Sequence, residues 1–173
     1  MTNISLIRLS DEHTIAFKEE MQEAFQHGFM AYYKDDNQWQ VLPDKDFYQS
    51  LEAEGAEAYE AVNEDGQRVG GAIITANGTM GELAFLYVKV GVQSKGIGQS
   101  IWKSIEIMHP EIEVWETCTP YFDRRNIHFY INRCGFHAVE FFNEHHPDPN
   151  MPEQFGQEDG LFKFEKRMIR KKT

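Results

Sequence analysis

The chain has 173 residues (20.2 kDa), 41% of them hydrophobic and 26% charged, which predicts one folded domain over residues 1–173 and argues against intrinsic disorder. Its longest apolar runs, such as 83–88, fall far short of the about 20 residues of a membrane span, and no basic segment followed by an apolar one opens the chain, so neither a membrane anchor nor a secretory signal is expected. A net charge of −11 disfavours nucleic acid and anionic membrane as partners, and the two cysteines, Cys118 and Cys134, lack Cys-x-x-Cys spacing, which predicts no disulfide framework and a cytoplasmic location.

Ile4 to Leu9 alternates imperfectly and predicts a short strand. Ser10 or Asp11 is a candidate cap for a helix whose apolar stripe is Phe17, Met21, Ala24/Phe25, Gly28 and Tyr32, spaced by threes and fours. A second, acidic helix is predicted from Asp44, just after Pro43, to Glu54, with Gly55 ending it. A meander follows: a strand at 59–62, a turn at Glu64-Asp65-Gly66, a strand at 69–75, a two-residue hairpin turn at Asn77-Gly78 and a buried strand at 82–88. From Gly96 the period becomes helical, with Ile97, Ile101, Ile105 and Met108 on one face and Pro110 as the stop. Then come a short strand at 112–115, a loop that holds Cys118, and a helix at 126–134 with Ile127, Tyr130, Ile131 and Cys134 on one side and Gly135 at its end. A strand at 136–142, a long polar loop at 143–159 and a last strand at 161–168 complete the chain. The order is β-α-α-β-β-β-α-β-α-β-β, which predicts an α/β protein with a mixed sheet.

Charge is unevenly spread. Residues 1–66 hold fifteen acidic and four basic side chains, whereas 67–173 hold thirteen of each. The acidic third is either a surface that attracts a cationic ligand or a solvated face that aids solubility.

The segment with most chemistry is 88–98, VKVGVQSKGIG. A strand runs into a glycine-containing loop that opens a helix. The first N–H groups of a helix have no intrahelical partners, and with the helix dipole they form an anion site. Gly96 and Gly98 clear the approach of a phosphate to those amides, while Lys95 adds positive charge and Ser94 a hydroxyl. The Rossmann fingerprint is excluded, because Ile101 stands where its third glycine belongs, and no Gly-Lys-Ser/Thr follows for a Walker A loop.

Gln93-Ser94-Lys95-Gly96-Ile97-Gly98 resembles the Q/R-x-x-G-x-G/A signature of the GNAT superfamily of acyl-CoA-dependent N-acetyltransferases. Leu86-Tyr87-Val88 before it is similar to the strand that leads to that signature. Arg125-Asn126, Phe129-Tyr130 and Gly135-Phe136 resemble the family's second block. The resemblance is detailed over 80–142 and extends elsewhere through element order. It implies the GNAT fold, a mixed and mostly antiparallel central sheet flanked by helices, with acetyl-CoA as cosubstrate and no metal. It further implies that the amides of Ser94, Lys95, Gly96, Ile97, Gly98 and Gln99 cradle the CoA pyrophosphate, and that Asn126 contacts the CoA arm. The backbone of Leu86, Tyr87 and Val88 would bind the pantetheine like an added strand, in a slot opened by a splay from the next strand.

Direct transfer to an amine needs a base for the amine proton, a donor for the oxyanion and a proton for the departing thiolate. Glu82 opens a strand similar to the one that carries the glutamate base in histone-acetylating members; it is the candidate base, and an ordinary strand-end carboxylate is the plain alternative. The Val88 amide is the candidate oxyanion donor. Tyr130 is the candidate acid. The family tyrosine commonly lies four residues before the glycine of the Gly-Phe pair, whereas Tyr130 lies five before Gly135 and Ile131 takes the usual slot. One residue is a rotation of about 100° on an α-helix, so Tyr130 serves only if the helix carries a bulge there or ends differently.

The remaining candidates read as structural. Glu144, His145, His146 and Asp148 cluster in the long loop without a metal-binding spacing, although that loop is placed to close over an acceptor. Cys134 reads as a buried thiol. Phe25, Phe29, Tyr32, Tyr33 and Trp39 lie near the acidic stretch; in the resembling family the first helices shape the acceptor pocket, and an aromatic and acidic wall suits an amine. The expected activity is acetyl transfer to a primary amine, with a small cation as acceptor. A protein lysine or N-terminus and a non-catalytic acyl-CoA-binding module are the alternatives. A homodimer is common in such proteins, but nothing in the residues specifies an interface.

Overall fold

The computed structural model describes residues 3–32, 40–92, 96–150 and 160–169. Seven strands form one sheet: β1 (Ser5–Arg8), β2 (Ala56–Val62), β3 (Arg68–Asn77), β4 (Met80–Val88), β5 (Val114–Pro120), β6 (His137–Phe142) and β7 (Leu161–Arg167). Their order in space is β1-β2-β3-β4-β5-β7-β6. Every neighbouring pair is antiparallel except β4 and β5, which run parallel because helix α3 (Ile97–Met108) carries the chain back across the sheet. Helices α1 (Thr14–Tyr32) and α2 (Asp44–Leu51) cover one face; α3 and the short α4 (Arg124–His128) cover the other.

Each face buries its own apolar cluster. On the α3 side, Ile101, Trp102 and Ile105 meet Trp115, Phe136 and Phe164. On the α1 side, Phe17 and Met21 meet Phe47, Ile73 and Tyr87. Each such side chain contributes about 1.5–3 kcal/mol through burial. Phe17 lies directly on Gly71 of β3, where a Cβ would overlap its ring. Charge reinforces that contact: Arg68 of β3 pairs with Glu20 of α1 at 2.6 Å and also with Glu60 of β2. Glu20 further accepts from the Tyr87 hydroxyl at 3.0 Å, and His13 Nδ1 donates to Glu60 at 2.9 Å.

The predicted element order holds, with local differences. The β3–β4 turn is Gly78-Thr79, one residue beyond the expected Asn77-Gly78, because Asn77 pairs with Met80. Gly78 alone has positive φ, at 62°, which is the type II′ pattern; β-branched Thr79 does not take it. Helix α2 stops at Leu51, and residues 52–55 turn into β2. Met108 is exposed, and the buried face of α3 comprises Ile97, Ile101, Trp102 and Ile105. Strand β5 runs on to Pro120, so Cys118 lies on a strand rather than in a loop. The segment expected to be one helix at 126–134 is α4 followed by a π-helical turn, Phe129–Arg133. Tyr33, Trp39, residues 151–159 of the long loop and Gln93, Ser94 and Lys95 lie outside the described residues.

Candidate active site

The site begins where β4 and β5 part. They pair only at Met80↔Val114, Gly81↔Trp115 and Glu82↔Glu116. In β4, Ala84 bulges out of register, since Ile74 pairs with Leu83 and Ile73 with Phe85. Beyond Glu82 the two strands form an open wedge. Lys89 N–H donates to the Val69 carbonyl at 2.8 Å. By the alternation of an antiparallel ladder, Tyr87 therefore turns its N–H and C=O towards β3, whereas Leu86 and Val88 turn theirs into the wedge. An extended chain laid in the wedge meets those groups as it would a neighbouring strand. The Tyr87 phenol is committed to Glu20, and burial drives its pKa well above the usual value.

At the wide end of the wedge, Gly96 caps α3 with φ 96° and no side-chain cap. The Ser100 N–H donates to the Gly96 carbonyl, which leaves the N–H groups of Ile97, Gly98 and Gln99 without partners inside the helix. A Cβ on Gly98 would press on the Phe129 ring at 3.2 Å, so the helix start is packed close against the π-helical turn. The Gln99 side chain holds the far end of that turn, donating to the Arg133 carbonyl at 3.0 Å. Asn126 is half-buried in the first turn of α4, with its N–H accepted by Asp123 at 3.0 Å.

The π-helical turn fulfils the condition that the sequence sets for Tyr130. Cys134 N–H reaches back five residues to the Phe129 carbonyl at 3.0 Å, so the turn takes up one residue more than an α-helical turn does. The Tyr130 ring packs among Phe129, Phe136 and Phe164 and is 6% exposed. Burial pushes the phenol's pKa far up, and Thr117 partly opposes that.

Glu82 approaches from the opposite face. Its neighbour Leu83 points into the α3-side core, so Glu82 points to the α1 side, next to Glu116, its register partner. Glu82 keeps contact with water, yet the surrounding protein raises its pKa, first by stripping away part of its solvent and then through the charge of Glu116. Lys163 of β7 opposes this and pairs with Glu116 at 3.4 Å; Asp148 adds to it. The Cys118 thiol lies in the same group and is pushed up to about 12, by burial and then by the charges of Glu82 and Asp148. A neutral thiol is a poor nucleophile, so the arrangement suits direct attack and not a thioester on Cys118.

Sequence reasoning missed Glu116, Lys163 and Thr117. Period-2 alternation extended beyond Trp115 would have grouped Glu116 with Cys118 and Thr117 with Trp115. Nothing in the sequence pairs Lys163 with them. Phe25 and Phe29 of α1 lie over this end of the sheet, against Phe85 at 5.7 Å and Phe122 at 5.6 Å. His146 pairs with Glu140 at 2.8 Å and stacks on Phe142. Among the described residues no group of three His, Cys, Asp or Glu side chains could hold a metal ion, and no helix is long and apolar enough to cross a membrane.

Residues 15–136 match the model of the acetyltransferase (GNAT) family. The chain is 41% identical over 165 residues to the uncharacterized Bacillus subtilis (strain 168) protein YrkN, covering 90% of this chain and 88% of YrkN. Its fold is similar to that of a Bacillus subtilis acetyltransferase in complex with CoA, with a TM-score of 0.65 at 18% identity over 98% of this chain and 100% of the other. It is also similar to the PaiA N-acetyltransferase of Thermoplasma acidophilum in complex with coenzyme A, with a TM-score of 0.67 at 17% identity over 96% and 99%. At these identities the structural likeness is one of fold.

Proposed function

The chain belongs to the acetyltransferase (GNAT) family and has its fold, and from that premise we propose that it is a single-domain enzyme that moves the acetyl group of acetyl-CoA to a primary amine of a small cation. The carrying observation is the wedge between β4 and β5 with two carboxylates, Glu82 and Glu116, side by side at its vertex. The pantetheine arm lies along Leu86 and Val88, with the pyrophosphate on the amides at the start of α3 and in the loop Gln93-Ser94-Lys95 before it, and Asn126 beside the arm. Glu82, directly or through water, takes the ammonium proton. The amine nitrogen attacks the thioester carbonyl, the Val88 N–H donates to the oxyanion, the C–S bond breaks, and Tyr130 gives its proton to the sulfur.

Charge supports a cationic acceptor. Glu82, Glu116, Glu140 and Asp148 gather around Lys163, which is already paired with Glu116. Two free cysteines, Cys118 and Cys134, suit a reducing cytoplasm. The test is thiol release from acetyl-CoA with a panel of polyamines, aminoglycosides, free amino acids and lysine peptides. Fastest release with a polyamine or aminoglycoside is expected. Preference for a lysine peptide overturns the small-cation reading. Acetyl-CoA binding in a calorimeter without turnover of any amine overturns the enzymatic one.

A further inference from the structure

We infer that Lys163 is a positioning residue for the general base: it holds Glu116 in an ion pair and so leaves Glu82, at the vertex of the wedge, as an ionised carboxylate with no cation seated on it. The inference rests on the reading of Glu82 as the base given above.

Strand register builds the arrangement. Glu82 of β4 pairs with Glu116 of β5, Glu116 with Glu165 of β7, and Glu165 with His137 of β6. Paired residues present their side chains to the same face of a sheet, so these four form one row across four strands. The row beside it holds Cys118, Lys163 and Glu140. Three carboxylates thus stand in one row, about 5 Å apart from strand to strand. Two of them have a cation. Lys163 Nζ reaches diagonally to Glu116 at 3.4 Å, and Arg167 Nε reaches Glu165 at 2.9 Å. Among the described residues no cation pairs with Glu82. The Lys163 and Glu116 side chains are only 29% and 30% exposed, so solvent screens their pair less than one on the open surface. The other groups on this face add little free charge. Cys118 is a neutral thiol, and Glu140 has His146 at 2.8 Å. β3 presents Thr75, the register partner of Glu82, and α1 lays Phe25 on Phe85. Asp148 of the long loop adds one negative charge.

Two ionised carboxylates in adjacent places of a row repel each other, and one of them then holds its proton to higher pH. The Lys163 ammonium removes most of that repulsion by neutralising Glu116. Because it contacts Glu116 and not Glu82, the lone pairs of Glu82 stay open to the substrate. In the reaction an N–H bond of the substrate ammonium breaks, its electron pair stays on nitrogen, and the proton goes to Glu82. Without the lysine charge, Glu116 competes with Glu82 for the same proton.

The experiment is the pH dependence of kcat/KM on the full chain, with the fastest amine of the panel, for the parent, Lys163→Met, Lys163→Arg, Glu116→Gln and Glu82→Gln. The free amine titrates alike in all of them, so a shift between variants belongs to the protein. Lys163→Met is expected to move the acid limb up by about one pH unit, a loss of about tenfold at a fixed pH below the limb, with activity regained at higher pH. Lys163→Arg restores the parent profile. Glu116→Gln moves the limb down, and in that background Lys163→Met moves it less than in the parent. A ¹³C NMR titration of the glutamate carboxyls, with the Glu82 signal assigned by its loss in Glu82→Gln, reads the same shifts without turnover. A limb and a Glu82 signal that do not move in Lys163→Met overturn this inference alone. An equal loss of activity at every pH also overturns it, because the lysine then serves binding or folding and not the base. An unchanged profile in Glu82→Gln overturns the base assignment and this inference with it. Should Lys163→Met not fold, Lys163→Gln carries the same comparison.

Discussion

Glu82 and Tyr130 lie on opposite faces of the sheet, and in the proposed reaction one takes the amine proton while the other serves the sulfur. Their environments differ in kind. Tyr130 is enclosed by rings, whereas Glu82 is wet and crowded by Glu116. Glu82→Gln tests its role in two ways. As a base, Glu82 must be ionised, so activity of the parent falls as pH drops through a pKa lying above the ordinary carboxylate value. Glu82→Gln lowers kcat/KM about 10²–10⁴-fold at neutral pH and needs a higher pH for turnover; an unchanged pH–rate profile eliminates the role. The same substitution acts on stability with the opposite sign. A carboxyl whose pKa is raised on folding binds more protons in the folded state, so stability declines as pH rises from the unfolded pKa through the folded one. Above that window the ionised Glu82 is a net cost. Glu82→Gln therefore raises the melting temperature at pH 7 and leaves it nearly unchanged at pH 4, the trade of stability for function common at active sites.

At the scale of elements, two junctions decide the site. The first is the start of α3, where Gly96 holds φ 96°. An L side chain there is strained by about 1–2 kcal/mol, and the strain falls on the amides assigned to the pyrophosphate. Gly96→Ala raises KM for acetyl-CoA tenfold or more with a smaller effect on kcat, measurable by calorimetry of CoA binding as well as by kinetics. The second is the clamp of α1 on the sheet. Burial pushes the Glu20 carboxyl up, but the hydrogen bonds from Arg68 and Tyr87 and the charge of Arg68 outweigh it and hold its pKa below the ordinary value. Its stabilising effect is present above the unfolded pKa and is lost as pH falls through the depressed one. Arg68→Met strands Glu20 and Glu60 without their common partner and costs about 3–5 kcal/mol in urea unfolding. Adding Glu20→Gln and Glu60→Gln to it recovers most of the loss; no recovery shows that the ion pairs are not the source.

At the scale of the whole molecule, charge is organised around the opening. The acidic third of the chain supplies α1 and α2, which cover the face on which Glu82, Glu116 and Cys118 lie. Salt screens such a field within about 10 Å at 0.1 M ionic strength. Raising ionic strength from about 0.05 to 0.5 M lowers kcat/KM roughly tenfold for a polyamine and less than twofold for a zwitterionic amino acid. Equal salt dependence for both acceptors removes the electrostatic argument for a cationic substrate.

The sequence by itself determined the order of elements and supplied the reading of the β4–α3 loop as a phosphate site, because both rest on neighbours in the chain. Apolar spacing marked α1 and α3, glycines marked the turns, and Gly96 with Gly98 marked a helix start open to a phosphate. It also posed the question of Tyr130, one residue out of place. Only the tertiary structure showed the π-helical turn at that point, since such a turn costs a regular helix its bonds and persists here because Phe129, Tyr130 and Phe136 fill one core. The wedge, the Thr117–Leu83 bond and the company of Glu116 and Lys163 around Glu82 were likewise decided by strand register. Register joins residues more than thirty positions apart, and the period-2 pattern of one strand does not name its partner.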